Sequence, residues 1–139
     1  MAEPFRPLTG GCGCGAVRYE IDAAFASANY CHCTRCQRRT GTAASANGRT
    51  APGSFRITAG EEHIGTWAPE GGATKNFCVL CGGGLFSRSD GDPPTIGVRL
   101  GTVDGDPGIR PQWRAYVAYA ASWEEIPDDG LPRYPEGKV

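Results

Sequence analysis

Seven cysteines, gathered in three tight groups that end at Cys81, constrain this chain more than any other feature. Cys12 and Cys14 form the first group, Cys31, Cys33 and Cys36 the second, and Cys78 and Cys81 the third. An odd number cannot pair completely within one chain, and cysteines used as small apolar fillers would be scattered rather than grouped. The spacing is that of metal ligation. In a Cys-x-Cys step on an extended backbone both side chains point to one face, so Cys12/Cys14 and Cys31/Cys33 each make a chelating pair. Cys33-Thr34-Arg35-Cys36 and Cys78-Val79-Leu80-Cys81 are Cys-x-x-Cys turns of the zinc-knuckle kind.

Seven ligands divide naturally as four plus three. The contiguous trio can wrap one ion by itself, whereas the two distant pairs complete a site only together. Four thiolates at roughly 2.3 Å make a closed, structural zinc site, and three leave one coordination direction free. The closed site, formed by Cys12, Cys14, Cys78 and Cys81, ties the first strand to the middle of the chain and supplies stability to a small domain. Thiolates held this close repel one another without a cation, which places a redox trio second to a metal at Cys31, Cys33 and Cys36.

An open thiolate-bound zinc holds a water or an incoming thiol, and metal coordination deprotonates a thiol outright. The product is a sulfur nucleophile at neutral pH. Three thiolates weaken the ion as a Lewis acid, which favours delivery of sulfur over activation of water. The chain has only two histidines, His32 and His63, and neither stands out as a general base. Arg35, Arg38 and Arg39 flank the second group and can clamp the carboxylate of an anionic thiol, or merely offset the charge of the metal centre. Strand alternation turns His32 away from its neighbouring cysteines and makes it a minor candidate for a fourth ligand. His63 reads as an ordinary surface residue of a strand.

With 21 glycines and 11 prolines in 139 residues, the chain favours short strands over long helices. Val17, Tyr19 and Ile21 alternate with charged residues as in a half-buried strand. Further strands are expected over 25–33, 42–47, 75–77, 85–87, 95–100 and 113–119. Segments 55–58 and 63–67 form a candidate hairpin around Gly60, and 36–40 a single helical turn ended by Gly41. The expected class is mainly β, one domain over 1–139, with a core of about 9–126 and a tail, 127–139, that wraps the surface. Trp123, Ile126, Leu131 and Tyr134 are the expected anchors around that tail, whose prolines exclude regular structure.

A net charge of −1 and a pI near 6.1 give no field to attract a nucleic acid. No apolar run approaches the roughly 18 residues of a membrane span, and no signal peptide is read at the N-terminus. Unpaired cysteines fit a reducing compartment, so a cytoplasmic location is expected. Oligomeric state is not legible.

Three segments carry a resemblance to a known family: Gly10-Gly11-Cys12-Gly13-Cys14-Gly15-Ala16-Val17-Arg18-Tyr19, then Cys31-His32-Cys33-Thr34-Arg35-Cys36-Gln37-Arg38-Arg39-Thr40-Gly41, then Asn76-Phe77-Cys78-Val79-Leu80-Cys81-Gly82. The sequence resembles the glutathione-dependent formaldehyde-activating enzyme family, which includes centromere protein V. The resemblance implies a β-tent of coiled antiparallel sheets with zinc knuckles. It places one zinc on Cys12, Cys14, Cys78 and Cys81 and a catalytic one on Cys31, Cys33 and Cys36. It also implies a carbon–sulfur lyase that joins glutathione, or another small thiol, to formaldehyde or a related aldehyde. Where members of that family commonly carry a histidine, near Gln112-Trp113-Arg114-Ala115-Tyr116, this chain has Arg114. The competing reading is a non-catalytic zinc-binding module that holds a protein partner or carries a thiol. A methionine sulfoxide reductase is disfavoured because no cysteine follows Cys81 to act as nucleophile.

Overall fold

Apolar alternation builds the first strands, and a second, polar alternation decides what the larger sheet presents on its outer face. The computed structural model describes residues 5–138; Met1–Pro4 and Val139, the ends of the expected domain and tail, lie outside the described residues. Among the described residues ten strands are present: β1 Leu8–Gly11, β2 Arg18–Ile21, β3 Ser27–Cys31, β4 Ser45–Arg49, β5 Phe55–Ala59, β6 Ile64–Trp67, β7 Thr74–Cys78, β8 Gly84–Ser89, β9 Thr95–Arg99 and β10 Arg114–Ala115. One α-helix, α1, spans Thr34–Thr40. The expected mainly β class holds. No helix among the described residues is long and apolar enough to cross a membrane.

Strands β1, β2 and β5 form a small antiparallel sheet. The larger sheet runs in the order β10-β3-β4-β9-β8-β7-β6, antiparallel except where β10 lies parallel to β3. One core joins the two. Val17, Tyr19 and Ile21 from the small sheet and Cys78, Leu85 and Val98 from the large one are essentially inaccessible to solvent. Phe55 bridges them, its ring centroid 5.3 Å from Tyr19 and 4.8 Å from Phe86. Each such large apolar side chain contributes roughly 1.5–3 kcal/mol by leaving water.

Helix α1 is placed by its ends. Cys33, extended at φ −62° and ψ 152°, is the N-cap, and its Sγ accepts the Cys36 N–H at 3.2 Å. A thiolate or thiol sulfur here takes the capping role usually given to a hydroxyl. Gly41, at φ 68°, stops the helix with its N–H on the Gln37 carbonyl, a conformation that a Cβ would penalise. The helix starts two residues earlier than the turn expected at 36–40.

Four expectations require correction. Segments 55–58 and 63–67 do not pair as a hairpin: β5 pairs with β2, whereas β6 pairs with β7 in the other sheet. Gly60 is the crossover between sheets, held at φ 76° with the Ala16 carbonyl pressed against it. The strand expected over 113–119 ends at Ala115, because Tyr116 adopts a left-handed conformation at φ 58° and a 3-10 turn follows over Val117–Tyr119. Trp123 is not an anchor of the tail. It is 68% exposed, while Ile126, Leu131 and Tyr134 are half-buried, and the tail is fastened instead by backbone bonds from Arg114, Tyr116 and Val117 to residues 132–136. The strand expected at 42–47 begins later, at Ser45, after a hydroxyl-bonded turn through Thr40 and Thr42.

A Cβ at residue 60 would stand 1.9 Å from the Ala16 carbonyl oxygen in a conformation L-residues avoid. Gly60→Ala is therefore expected to lower stability by at least about 2 kcal/mol. Urea denaturation followed by tryptophan fluorescence measures it, and an unchanged midpoint would contradict the crossover.

Candidate metal centres

The turn between β1 and β2 carries Cys12 and Cys14, β7 ends on Cys78, and the turn after it carries Cys81. The packing of the two sheets brings all four sulfurs within 4.8 Å of one another. Sulfurs at roughly 2.3 Å from a tetrahedral centre are about 3.8 Å apart. Cys12 Sγ lies 3.6 Å from Cys14 Sγ, and Cys14 Sγ lies 3.8 Å from Cys78 Sγ. The donor set and its spacing fit a zinc ion.

Backbone amides serve the sulfurs. The Val17 N–H donates to Cys12 Sγ at 3.3 Å. The Cys78 N–H donates to the Gly83 carbonyl and the Gly82 N–H to the Cys78 carbonyl, which closes the knuckle. Burial opposes ionisation of Cys12, but the Val17 N–H and the neighbouring sulfurs outweigh it and lower the thiol to about 6. All seven cysteines are free, with no disulfide among the described residues.

The second centre is local. Cys31 ends β3, Cys33 caps α1, and Cys36 lies in the first turn of α1. Their sulfurs also lie within 4.8 Å of one another, and no fourth His, Cys, Asp or Glu among the described residues joins them within that distance. This donor set, too, fits a zinc ion, and it leaves a coordination direction for a ligand from outside. The Cys31 thiol, bonded to Cys36, together with Ser45, Cys33 and Arg99, outweighs burial and lowers Cys36 to about 5. The same pairing with Cys36, and burial, push Cys31 upward. The surroundings of the trio thus favour ionisation at Cys36.

Strand register surrounds this trio with groups that its sequence neighbourhood does not contain. Ala28 and Gly48 pair on the core face, so Asn29, Asn47, Cys31 and Ser45 lie on the opposite face of β3 and β4. Asn47 pairs with Arg99, and Lys75 with Ser87. The side chains interlock: Asn47 Nδ2 donates to Ser45 Oγ at 2.8 Å, the Arg99 guanidinium donates to Asn47 Oδ1 and to Ser87 Oγ, and the Lys75 ammonium reaches Ser87 Oγ at 3.5 Å. Burial lowers the Arg99 and Lys75 pKa values, while the Cys36 and Cys33 sulfurs act to raise them. Sequence reading missed Ser45, Lys75, Ser87 and Arg99. The only local signal was the polar half of each strand's alternation.

The three arginines of α1 come together with one another. Arg35, Arg38 and Arg39 line a cleft of about 440 Å³ against Trp67, with no cysteine in its wall. Arg35 donates to the Glu70 carbonyl at 3.2 Å, and Arg39 stacks over the Phe77 ring at 5.3 Å from its centroid. His32 is buried on the face away from the sulfurs, its Nε2 3.2 Å from an Arg114 nitrogen. Burial, then Arg114, lowers its pKa. His63 lies in a 3-10 turn over Glu61–His63 rather than in a strand, beside Glu62. Arg114 is itself buried: it stacks on Tyr30 and donates two bonds to Asp129, so it locks the tail to β3. A further cavity of about 570 Å³, lined by Phe55, Ile64, Phe86 and Ile96, lies between the sheets, away from both centres.

The sequence pattern of the family described as glutathione-dependent formaldehyde-activating enzyme (GFA) matches residues 7–119. A crystal structure of a Rhodobacter sphaeroides protein, a structural-genomics target, is similar in fold. Its TM-score is 0.59 at 24% sequence identity, over 91% of this chain and 98% of that one.

Elemental analysis of the purified protein is expected to find two zinc ions per chain. Cys36→Ser should lose one and keep its thermal stability nearly unchanged, whereas Cys78→Ser should lose the other and a large part of the stability. Equal destabilisation by both would contradict the division of labour. The Arg114 guanidinium and the Leu131 N–H hold the Asp129 carboxyl below its usual range. A depressed folded-state value means that this contribution is present above about pH 4 and lost as pH falls below it. Between pH 5 and 3 the native protein should therefore lose more stability than Asp129→Asn does, and parallel losses would contradict the tail lock.

Proposed function

Because the chain belongs to the glutathione-dependent formaldehyde-activating enzyme family, we propose that it joins a small thiol of the glutathione class to formaldehyde or a related aldehyde. On this reading it is a carbon–sulfur lyase acting at Cys31, Cys33 and Cys36, while Cys12, Cys14, Cys78 and Cys81 hold a structural zinc. The observation that carries it is the trio of convergent sulfurs, with no fourth protein ligand among the described residues, set on a polar face that Arg99 and Lys75 make cationic. A zinc ion held by these three cysteines would supply a coordination position that favours deprotonation of a substrate thiol.

The chain's own groups prepare the reaction around that position. Ser45, oriented by Asn47, favours the ionised form of Cys36. Arg99, held by Asn47 and Ser87, and Lys75 offset the negative charge that three thiolates and an incoming fourth accumulate. In the addition, the substrate sulfur's electron pair forms a bond to the aldehyde carbon and the carbonyl π pair moves to oxygen. That oxygen takes up a proton, so the proton lost by the thiol is restored in the hydroxymethyl product and no redox partner is needed. Neither histidine serves as a base at the trio, since His32 faces Arg114 on the opposite side and His63 lies on the surface. Arg35, Arg38 and Arg39, gathered in their own cleft, add positive potential to the approach for an anionic thiol.

A second reading has one observation in its favour. Val79 and Leu80 at the tip of the knuckle are 55% and 61% exposed, as a docking tip for a protein partner would be. Partner capture that survives Cys36→Ser but not Cys78→Ser would support that reading.

The zinc-loaded protein is expected to accelerate formation of the thiol–aldehyde adduct above the spontaneous rate, with saturation in both substrates. Cys36→Ser should return the rate to the uncatalysed level, and Arg99→Gln should lower it by roughly ten- to a hundredfold. Stopped-flow or NMR detection of the adduct measures this, and a fully loaded protein no faster than buffer would contradict the reading.

A further inference from the structure

Tyr19, Leu85 and Val98 leave no surface exposed where the two sheets meet. Phe55 and Ile57 of β5 and Ile64 of β6 pack against the same core, yet they stay only half-buried. All three line the cavity of about 570 Å³ between the sheets. Small-molecule sites typically enclose about 300–1,000 Å³. Two rings stand in the wall, Phe55 and Phe86, with centroids 4.8 Å apart and planes tilted by 53°. Apolar walls alone name no ligand, but two polar groups in this lining do.

Asn76, in the middle of β7, is 6% exposed and lines the cavity. Its Nδ2 donates to the Thr74 and Phe86 carbonyls at 3.3 and 3.4 Å, and among the described residues nothing donates to its Oδ1. Thr50, the other buried polar side chain of the lining, is turned to the Ile96 carbonyl at 3.3 Å. Buried polar atoms nearly always have a partner, so an open acceptor in an apolar wall marks a place for a donor from outside. Arg88 on β8 is the second group: it lines the cavity, is exposed, and joins no ion pair among the described residues. Register sets Phe86 opposite Asn76 and Arg88 opposite Thr74. The cation therefore stands two positions along the sheet from the open acceptor, roughly 6.6 Å at about 3.3 Å per residue. Two other charged residues line the cavity, and neither competes with Arg88. Arg56 is paired with Glu20 and Asp22, and Glu61 precedes β6, whose Ile64 pairs with Cys78 on the other side of Asn76.

The geometry points to this cavity as a second ligand site, built for a small aromatic carboxylate that carries a hydroxyl across the ring from its acid arm. The ring lies among Phe55, Phe86 and the isoleucines, where aromatic edges and faces pack well. The hydroxyl donates to Asn76 Oδ1, and the carboxylate takes a two-pronged contact from the Arg88 guanidinium. Glu61 at the far end repels an acid group bound in the reverse sense. It also disfavours a phosphate, whose second charge a single guanidinium leaves unmatched. The site shares no residue with either cysteine group, so it stands whatever chemistry the trio performs.

The test titrates the zinc-loaded full chain, labelled at its isoleucine methyls, with 4-hydroxyphenylacetate and follows the NMR spectrum. Shifts are expected at Ile57, Ile64 and Ile96. Phenylacetate, which lacks the donor, and 4-hydroxyphenylacetamide, which lacks the charge, should each bind about tenfold more weakly. Arg88→Gln should bring the hydroxy acid to the affinity of its amide and leave the amide's own affinity unchanged. Asn76→Leu should erase the difference between the two acids, and because Asn76 is buried, comparison of those acids on the native protein makes the same test without a variant. Cys36→Ser, which disables the cysteine trio, should leave all three affinities as they were. Shifts at other isoleucines, equal affinities for the three probes, loss of binding in Cys36→Ser, or no response at millimolar probe would each overturn the assignment.

Discussion

Everything else in this fold depends on the meeting of Cys12 and Cys14 with Cys78 and Cys81. The first pair belongs to the small sheet and the second to the far end of the large one, and their sulfurs approach to the spacing of a tetrahedral ligand shell. A structural zinc in a small domain has an apparent binding free energy of about 10–16 kcal/mol. That is as large as the whole net stability of an ordinary domain, about 5–15 kcal/mol. The apolar core around Val17, Tyr19, Leu85 and Val98 is compact but modest. A metal staple held by these four sulfurs at one edge of it would let short strands and many glycine turns persist as one unit.

The larger sheet keeps one face polar. On β3 and β4 the core side is filled by Ala28 against Gly48, where the Phe25 ring covers the missing Cβ. The other side carries Cys31, Ser45, Asn29 and Asn47, and register adds Arg99, Ser87 and Lys75 from strands distant in sequence. Helix α1 then needs only its capping residue and first turn to bring Cys33 and Cys36 to the end of β3. The sulfurs are fixed by a strand end and a helix cap, elements that move little. Their surroundings are set by a hydrogen-bonded floor rather than by loops.

The grouping of the cysteines into a set of four and a set of three could be read before any fold was known, because cysteine spacing is local and its geometric meaning is strict. The alternation of Val17, Tyr19 and Ile21 with polar residues gave β2 and its buried face, and Gly41 gave the end of α1. The cationic floor was illegible, since Lys75 and Arg99 meet Ser45 only through three strand pairings that no local pattern announces. Proximity in sequence misled at residues 55–67, where Gly60 sends consecutive strands into different sheets. It misled again at Tyr116, whose left-handed backbone ends a strand that its aromatic and β-branched neighbours favoured. Trp123 shows that a large apolar residue in a tail can stay in water while a charged pair, Arg114 with Asp129, does the fastening.

The account turns on a three-sulfur centre whose remaining direction belongs to the substrate. Zinc K-edge X-ray absorption of the two-zinc protein reads this directly. With four sulfurs at one centre and three at the other, the resting protein should average about 3.5 sulfurs per zinc with a light-atom remainder, rising to about 4 on addition of a thiol. A resting average already at 4, or one that a saturating thiol leaves unmoved, would contradict it.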